Sequence, residues 1–514
     1  MGTLPDDLLV GCDELRQTHI SWVFMHPEHV LKVKKPVSLG FLDFRTLAAR
    51  QAACEAELQL NRRLAPSVYL RVVPIHCDAQ GMHHVNGEGE LVDFGVLMRR
   101  LPDADAADQR LRANRLTRQQ LVSLAERLAS FHRDAALGEH TARFGDPSLI
   151  LANVRENFEQ TRTSAPQHLS SSEIAEIERY QLGFLDAHKG LFAERIAQGR
   201  VRDGHGDLRL EHVYLGDDGS IEVIDCIEFN ERFRYADVCA DLAFLSMDLV
   251  WHERSDLAET LLAAYARSAN DFQLYRLVDF YESYRAYVRG KVESIVEYDE
   301  TQPQSVRQRA AAQARKHYLL SLACAREPVQ APVLCAVGGM IAAGKSTLSD
   351  ALGAELSVPV VDADRTRKHL ASAAPTTRLG SAAFSGAYAP EASARVYSEL
   401  LTRADAVLSS KRTVIVDASF RSAAERGRMR ELAQRHGVAF VFVECRAPVA
   451  VCEERLRRRA LGPSVSDAGP ELLPHFMAGY EAVSELSAAE HLLLDATRPL
   501  AENLGRVRER LALD

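Results

Sequence analysis

The sequence predicts two folds in series: an α+β part with a small β-rich lobe and a larger helical lobe, then an α/β part built on a parallel sheet. Three observations predict it. Short strand patterns with one helix between them fill residues 1–100, and helical patterns dominate from about 115 to 325. The Pro-containing stretch EPVQAP at 327–332 reads as a linker. Beyond it, short apolar runs alternate with helical patterns, the order that builds a parallel sheet.

The elements follow in order. Residues 18–35 read as two short strands with Pro27, Glu28 and His29 at the turn between them. Residues 44–64 read as a helix, with Leu47, Cys54, Leu58 and Leu64 near helical spacing. Strands are expected at 69–76 and 91–100, around a Gly/Asn-rich turn at 86–89. Leu121, Leu124, Leu128 and Phe131 make one apolar helical stripe, and 172–198 reads as one long helix. Two short strands at 212–215 and 221–224 flank Asp217-Asp218-Gly219, a hairpin signal. Helices return from 235 to 325, with a loop-like stretch at 296–308. A buried strand at 333–337 opens the second part, and further strands are expected at 358–361, 413–416 and 439–443. The domain expectation is thus 1–326, divided near residue 100 into its two lobes, a linker at 327–332, and 333–514.

A chain of 514 residues exceeds what one hydrophobic core organises. The net charge of −9 argues against a general nucleic-acid binder, which needs a basic surface to neutralise phosphates. The nine cysteines are widely spaced and none falls in a C-x-x-C pair, which fits free thiols in a reducing cytoplasm. The N-terminus is acidic and lacks the apolar core of a signal peptide, and no apolar run reaches the ~18 residues of a membrane span. The expected location is cytoplasmic, without a membrane partner.

Residues 339–347 read GMIAAGKST, with Gly339-x-x-x-x-Gly344-Lys345-Ser346 between a predicted strand and a predicted helix. Glycines let a backbone wrap phosphates, and a helix N-terminus presents N–H groups to them. Lys345 is placed to reach the β- and γ-phosphates and Ser346, followed by Thr347, to hold Mg²⁺ through its hydroxyl. Three more features sit at strand ends, where open α/β sheets bind ligands. Asp364 is a candidate base and Arg367 a candidate anion contact. Asp417 is a candidate metal carboxylate, and Arg455 and Arg459 are candidate lid cations.

On the P-loop, the D-x-x-R of Asp364–Arg367, the VIVD at 414–417 with Ser419 and Phe420, the later arginine helix and Ser466-Asp467-Ala468, residues 333–500 resemble P-loop kinases of the polynucleotide kinase, gluconate kinase and zeta toxin group. The resemblance implies a P-loop NTPase fold that binds ATP, or GTP, with Mg²⁺.

A second constellation lies upstream. His205-Gly206-Asp207 is followed by His212 and, after the predicted hairpin, by Ile224-Asp225. A kinase catalytic loop reads H-x-D-x-x-x-x-N, with a metal-binding Asp beyond it. Asp207 fits the base and Asp225 the Mg²⁺ ligand, with Glu228 as a further carboxylate. Residues 15–325 resemble the aminoglycoside phosphotransferase-like kinases, the small-molecule branch of the protein-kinase fold, which implies a bilobal domain. The resemblance implies that Lys32 holds the α- and β-phosphates, with Lys34 as alternate because both lie on one strand face. It also implies that Glu57 pairs with that lysine, with Glu55 as second choice, and that Met98 to Leu101 lie at the adenine hinge. The pattern departs twice: position 212 is His where Asn is usual, and THISWVF stands where a Gly-rich loop would lie. Imidazole is a poorer Mg²⁺ ligand than an oxygen donor.

The leading expectation is therefore a tandem ATP-dependent phosphotransferase acting on small hydroxylated substrates. One alternative is a nucleotide-binding regulatory protein whose first domain is inactive, favoured by His212. The other is a polynucleotide or nucleoside kinase acting through the C-terminal part, disfavoured by the acidic charge.

Overall fold

The computed structural model describes residues 3–39, 42–324, 331–379, 386–462 and 464–511. The chain forms two compact units. The first comprises Met1–Arg254 and Phe280–Ala325, and the second Ser255–Asp279 and Arg326–Asp514. Of the expected linker, residues 327–330 lie outside the described residues.

The small lobe of the first unit is an antiparallel sheet of six strands. Their order is Glu14–Gln17, Ser21–Met25, His29–Lys34, Glu90–Arg99, Tyr69–Cys77 and His83–Val85. The outermost strand, Glu14–Gln17, is polar and mostly exposed, so its pattern carries little strand signal. The helix Leu47–Asn61 packs on this sheet through Cys54, its Glu57 meets Lys32 and Lys34, and Thr46 caps it by accepting from the Ala49 N–H at 3.2 Å. The large lobe is mainly helical, with Leu121, Leu124 and Leu128 buried on Arg118–Asp134. The expected helix 172–198 is two helices, Ser171–Ala187 and Lys189–Ala197. His188 breaks it: its backbone leaves the helical region and its ring bonds back to the Phe184 carbonyl at 2.9 Å. Two short antiparallel pairs, Val213–Leu215 with Ile221–Val223 and Val201–Asp203 with Tyr235–Asp237, frame the loop that carries Asp207.

The second unit is a five-stranded parallel sheet in the order Val360–Asp362, Val414–Asp417, Val333–Gly339, Ala439–Arg446 and His491–Asp495. The central strand Val333–Gly339 is buried throughout. The fifth strand escaped the sequence because its apolar run, Leu492–Leu494, is only three residues long. The boundary expected at 326 needs correcting. The segment 255–279 belongs with the second unit, because Arg412 pairs with Glu259 at 2.8 Å and Asp279 at 2.9 Å, and Thr260 bonds Ser357 at 3.1 Å. Among the described residues, no helix is long and apolar enough to cross a membrane.

Candidate active site

In the second unit, strand order builds the site. The P-loop leaves the central strand, and Val337 is paired in register with Asp417 on the next strand. Gly339 has φ 129°, and a Cβ there would sit 2.2 Å from the Cys445 carbonyl oxygen, so only glycine lets the chain pass. The helix Lys345–Leu356 starts directly after Gly344. Lys345 Nζ lies across the loop and donates to the Met340 carbonyl at 2.8 Å. Ser346 and Asp417 line one cavity with Lys345. Burial pushes the Asp417 carboxyl up to about 7, against the pull of Lys345 and Ser346.

A cavity of about 290 Å³ joins these groups to Thr347, Asp364, Arg367 and Arg459. Asp364 and Arg367 lie three residues apart on the helix Ala363–Leu370 and pair at 3.2 Å. The Arg367 guanidinium also stacks 4.4 Å from the Tyr388 ring centroid. Arg455 does not line the cavity. It donates to the Ala342 carbonyl at 3.2 Å and the Ala496 carbonyl at 2.9 Å, so it braces the loop backbone where a lid cation was expected. Asp467, in the Ser466-Asp467-Ala468 stretch, holds the buried Lys368 at 2.5 Å.

In the first unit, strand and helix converge on an alternating row of charges. Lys32 Nζ lies 2.5 Å from Asp225 and 2.8 Å from Glu57. Lys34 Nζ lies 2.6 Å from the other Glu57 oxygen and pairs with Glu228. Both lysines therefore share Glu57, and exposure separates them: the Lys32 side chain is 13% exposed and that of Lys34 is 0%. Lys32 keeps access to solvent, whereas Lys34 is fully enclosed. Glu55 is exposed and Met98 is buried in the strand beside Val30. Burial raises the Glu57 carboxyl, but its two lysines outweigh that and hold it below the ordinary value. Glu228 is pushed up by burial, with Lys34 opposing. Lys34→Met should destabilise the first unit by about 3–5 kcal/mol, because it leaves the buried Glu228 without its cation and Glu57 with Lys32 alone. Lys32→Met should cost much less, and denaturant unfolding of the two variants measures the difference.

Asp241 holds the catalytic-type loop by accepting from the His205 N–H at 2.7 Å and the Gly206 N–H at 2.8 Å. Gly206 has φ 87°, and a Cβ there would sit 2.8 Å from the Phe233 carbonyl oxygen. Arg209 grips both Asp207 oxygens, at 3.0 and 3.1 Å. Burial raises the Asp207 carboxyl, but Arg209, His212 and Arg289 together hold it well below the carboxylate range. Asp225 has φ 65°, a strained conformation for a non-glycine residue. Its carboxyl is also held far down, with burial outweighed by Lys32 and His212. His212 donates from Nδ1 to the Asp207 carbonyl at 2.8 Å, leaving Nε2 3.3 Å from Arg209 and 3.7 Å from Asp225.

Burial pushes His205 down to about 4 and His317 down to about 3. The unfolded chain then binds more protons than the folded one below the ordinary histidine pKa of about 6.5, so stability falls as pH drops through that range. The loss approaches about 1.4 kcal/mol per pH unit for each such histidine. His317 stacks 5.2 Å from Trp251, so Trp fluorescence during denaturant unfolding follows it. His317→Phe should flatten the dependence between pH 6.5 and 4; an unchanged slope would contradict this.

Several site residues have no strong sequence signal. Arg209 is two residues from Asp207, and that spacing is the only hint of its grip. Arg267 lines the P-loop cavity from far upstream in sequence, and no local pattern marks it.

Comparison with known proteins gives a match of residues 334–483 to the family model described as an AAA domain. An uncharacterized protein of Mycobacterium tuberculosis is 33% identical over 455 residues, covering 88% of each chain, and one of Mycobacterium bovis matches equally. A choline/ethanolamine kinase family protein from Mesorhizobium loti is 12% identical, over 63% of this chain and 99% of its own, with a TM-score of 0.36. A gluconokinase from Sinorhizobium meliloti is 20% identical, over 36% of this chain and 93% of its own, with a TM-score of 0.27.

Proposed function

The chain belongs to the family of the mycobacterial proteins it matches over 88% of its length, and on that premise we propose that it is an ATP-dependent phosphotransferase with two separate nucleotide sites, acting on hydroxyl groups of small molecules. The observation that carries this reading is the P-loop cavity, where Lys345, Ser346, Asp417 and the Asp364–Arg367 pair face one space. An acceptor oxygen attacks the γ-phosphorus as the bond to the ADP oxygen breaks. Asp364 takes the hydroxyl proton, while Lys345 and Arg459 offset the negative charge on the transferring group. Positioning and charge stabilisation supply most of the rate in such transfers.

In the first unit, Lys32 grips the phosphates with Glu57 fixing its position, and Asp207 orients the attacking hydroxyl. The oxygen donors fit magnesium, which takes one or two carboxylates together with substrate phosphates and water. Asp225 would hold it there, and Ser346 with Asp417 in the second unit; the ion neutralises phosphate charge. His212 Nε2 faces the Arg209 guanidinium, so metal holding in the first unit rests on Asp225.

A second reading, in which the first unit binds nucleotide and regulates without turnover, is favoured by the grip of Arg209 on both Asp207 oxygens. A phosphotransfer screen over small alcohols, sugars, aminoglycosides and nucleosides, with a 5′-hydroxyl oligonucleotide as control, tests the proposal. Transfer to a small molecule supports it. Transfer confined to the oligonucleotide would replace it with nucleic-acid end phosphorylation.

A further inference from the structure

Resting on the reading of the P-loop cavity as a phosphoryl-transfer site, we infer that Arg267 is a positioning residue of that site, and that the segment 255–279 is one of its walls although in sequence it is flanked on both sides by segments of the first unit. Arg267 occupies the last turn of the helix Ser255–Ser268, where a cation meets the negative end of the helix. Leu257, Leu261 and Leu262 bury the opposite face, and the Arg412 pairs with Glu259 and Asp279 fasten the segment to the second unit. The arginine is thus held on a rigid element.

Its guanidinium reaches two acids on two different site elements. Nη1 lies 2.9 Å from Asp350 on the helix that opens at Lys345, and Nη2 lies 3.8 Å from Asp362. Asp362 caps the helix that carries Asp364 and Arg367, accepting from the Arg365 N–H at 2.7 Å. One side chain therefore ties the phosphate helix to the acceptor helix. Asp362 is largely buried, and Arg267 is the leading counterweight to the upward push of burial on its carboxyl. Among the described residues Arg267 Nε, itself buried, has no hydrogen-bond partner, and the contacts to Asp350 and Asp362 orient the guanidinium. Neither Asp350 nor Asp362 belongs to the phosphate-contacting set, so Arg267 acts through the placement of others. The P-loop unit is accordingly discontinuous: a fragment beginning at the linker would lack this wall.

The test uses the full-length chain with Arg267→Ala and Arg267→Lys. The first readout is hydrogen–deuterium exchange, which needs no turnover. In Arg267→Ala, exchange in peptides covering 363–370 should quicken by about tenfold while peptides from the sheet stay as in wild type. Arg267→Lys keeps the charge but loses the two-pronged reach, so it should give an intermediate rate at an unchanged melting temperature. The second readout separates binding from transfer. Affinity for Mg·AMP-PNP should change less than about threefold, because the phosphate loop is intact, while turnover at the P-loop site falls by about 10- to 100-fold. Exchange at 363–370 identical to wild type would overturn the inference. So would faster exchange spread over the whole unit with a lowered melting temperature, the mark of a merely structural arginine. If wild type shows no turnover, the proposed function fails, whereas the exchange data still decide the role of Arg267.

Discussion

Lys345→Ala should lower turnover at the P-loop site by about 10²- to 10³-fold, the loss that follows removal of one preorganised charge from a developing transition state. The side chain starts 2.8 Å from the Met340 carbonyl, so it already lies over the loop it serves. Its removal leaves the buried Asp417 without the cation that opposes the burial shift. The Asp417 carboxyl, already pushed up to about 7, should then be protonated over a wider pH range, and a protonated carboxyl is a poor metal partner. Nucleotide affinity at this site should fall with turnover. Equal activity in wild type and variant would show that product forms elsewhere.

Asp207→Ala should abolish whatever transfer the first unit performs, by about 10³-fold or more, because it removes the group that orients the attacking hydroxyl. Nucleotide binding in the first unit should survive, since Lys32, Glu57 and Asp225 remain. Arg209→Ala separates the readings further. If the Arg209 grip on Asp207 restrains turnover, its removal raises activity; if the arginine stabilises the transferring phosphate, its removal lowers activity without changing nucleotide affinity. Transfer that persists in Asp207→Ala but vanishes in Lys345→Ala would assign all catalysis to the second unit and leave the first a regulatory one.

The parts of the molecule legible in the sequence are those whose chemistry is written in adjacent residues. The P-loop was readable because glycine positions, a lysine and a strand-to-helix change all fall within nine residues, 339–347. The loop at His205–Asp207 was readable for the same reason. The choice between Lys32 and Lys34 was not, because period two puts both on one strand face, and only burial within the fold distinguishes them. Arg455 looked like a lid cation because the arginine helix is described by sequence alone; its carbonyl partners come from residues 342 and 496. Prolines mark a break after residue 326, yet the packing of 255–279 depends on Arg412 and Ser357, far along the chain. Long-range contacts of this kind leave no periodic trace.

We propose that one chain holds two nucleotide sites of different folds. Calorimetric titration with Mg·AMP-PNP tests this on wild type, Lys345→Ala, Lys32→Ala and the double variant. Two nucleotides should bind per wild-type chain, one should be lost in each single variant, and none should bind in the double variant. A single nucleotide per wild-type chain, abolished by Lys345→Ala and indifferent to Lys32→Ala, would contradict it.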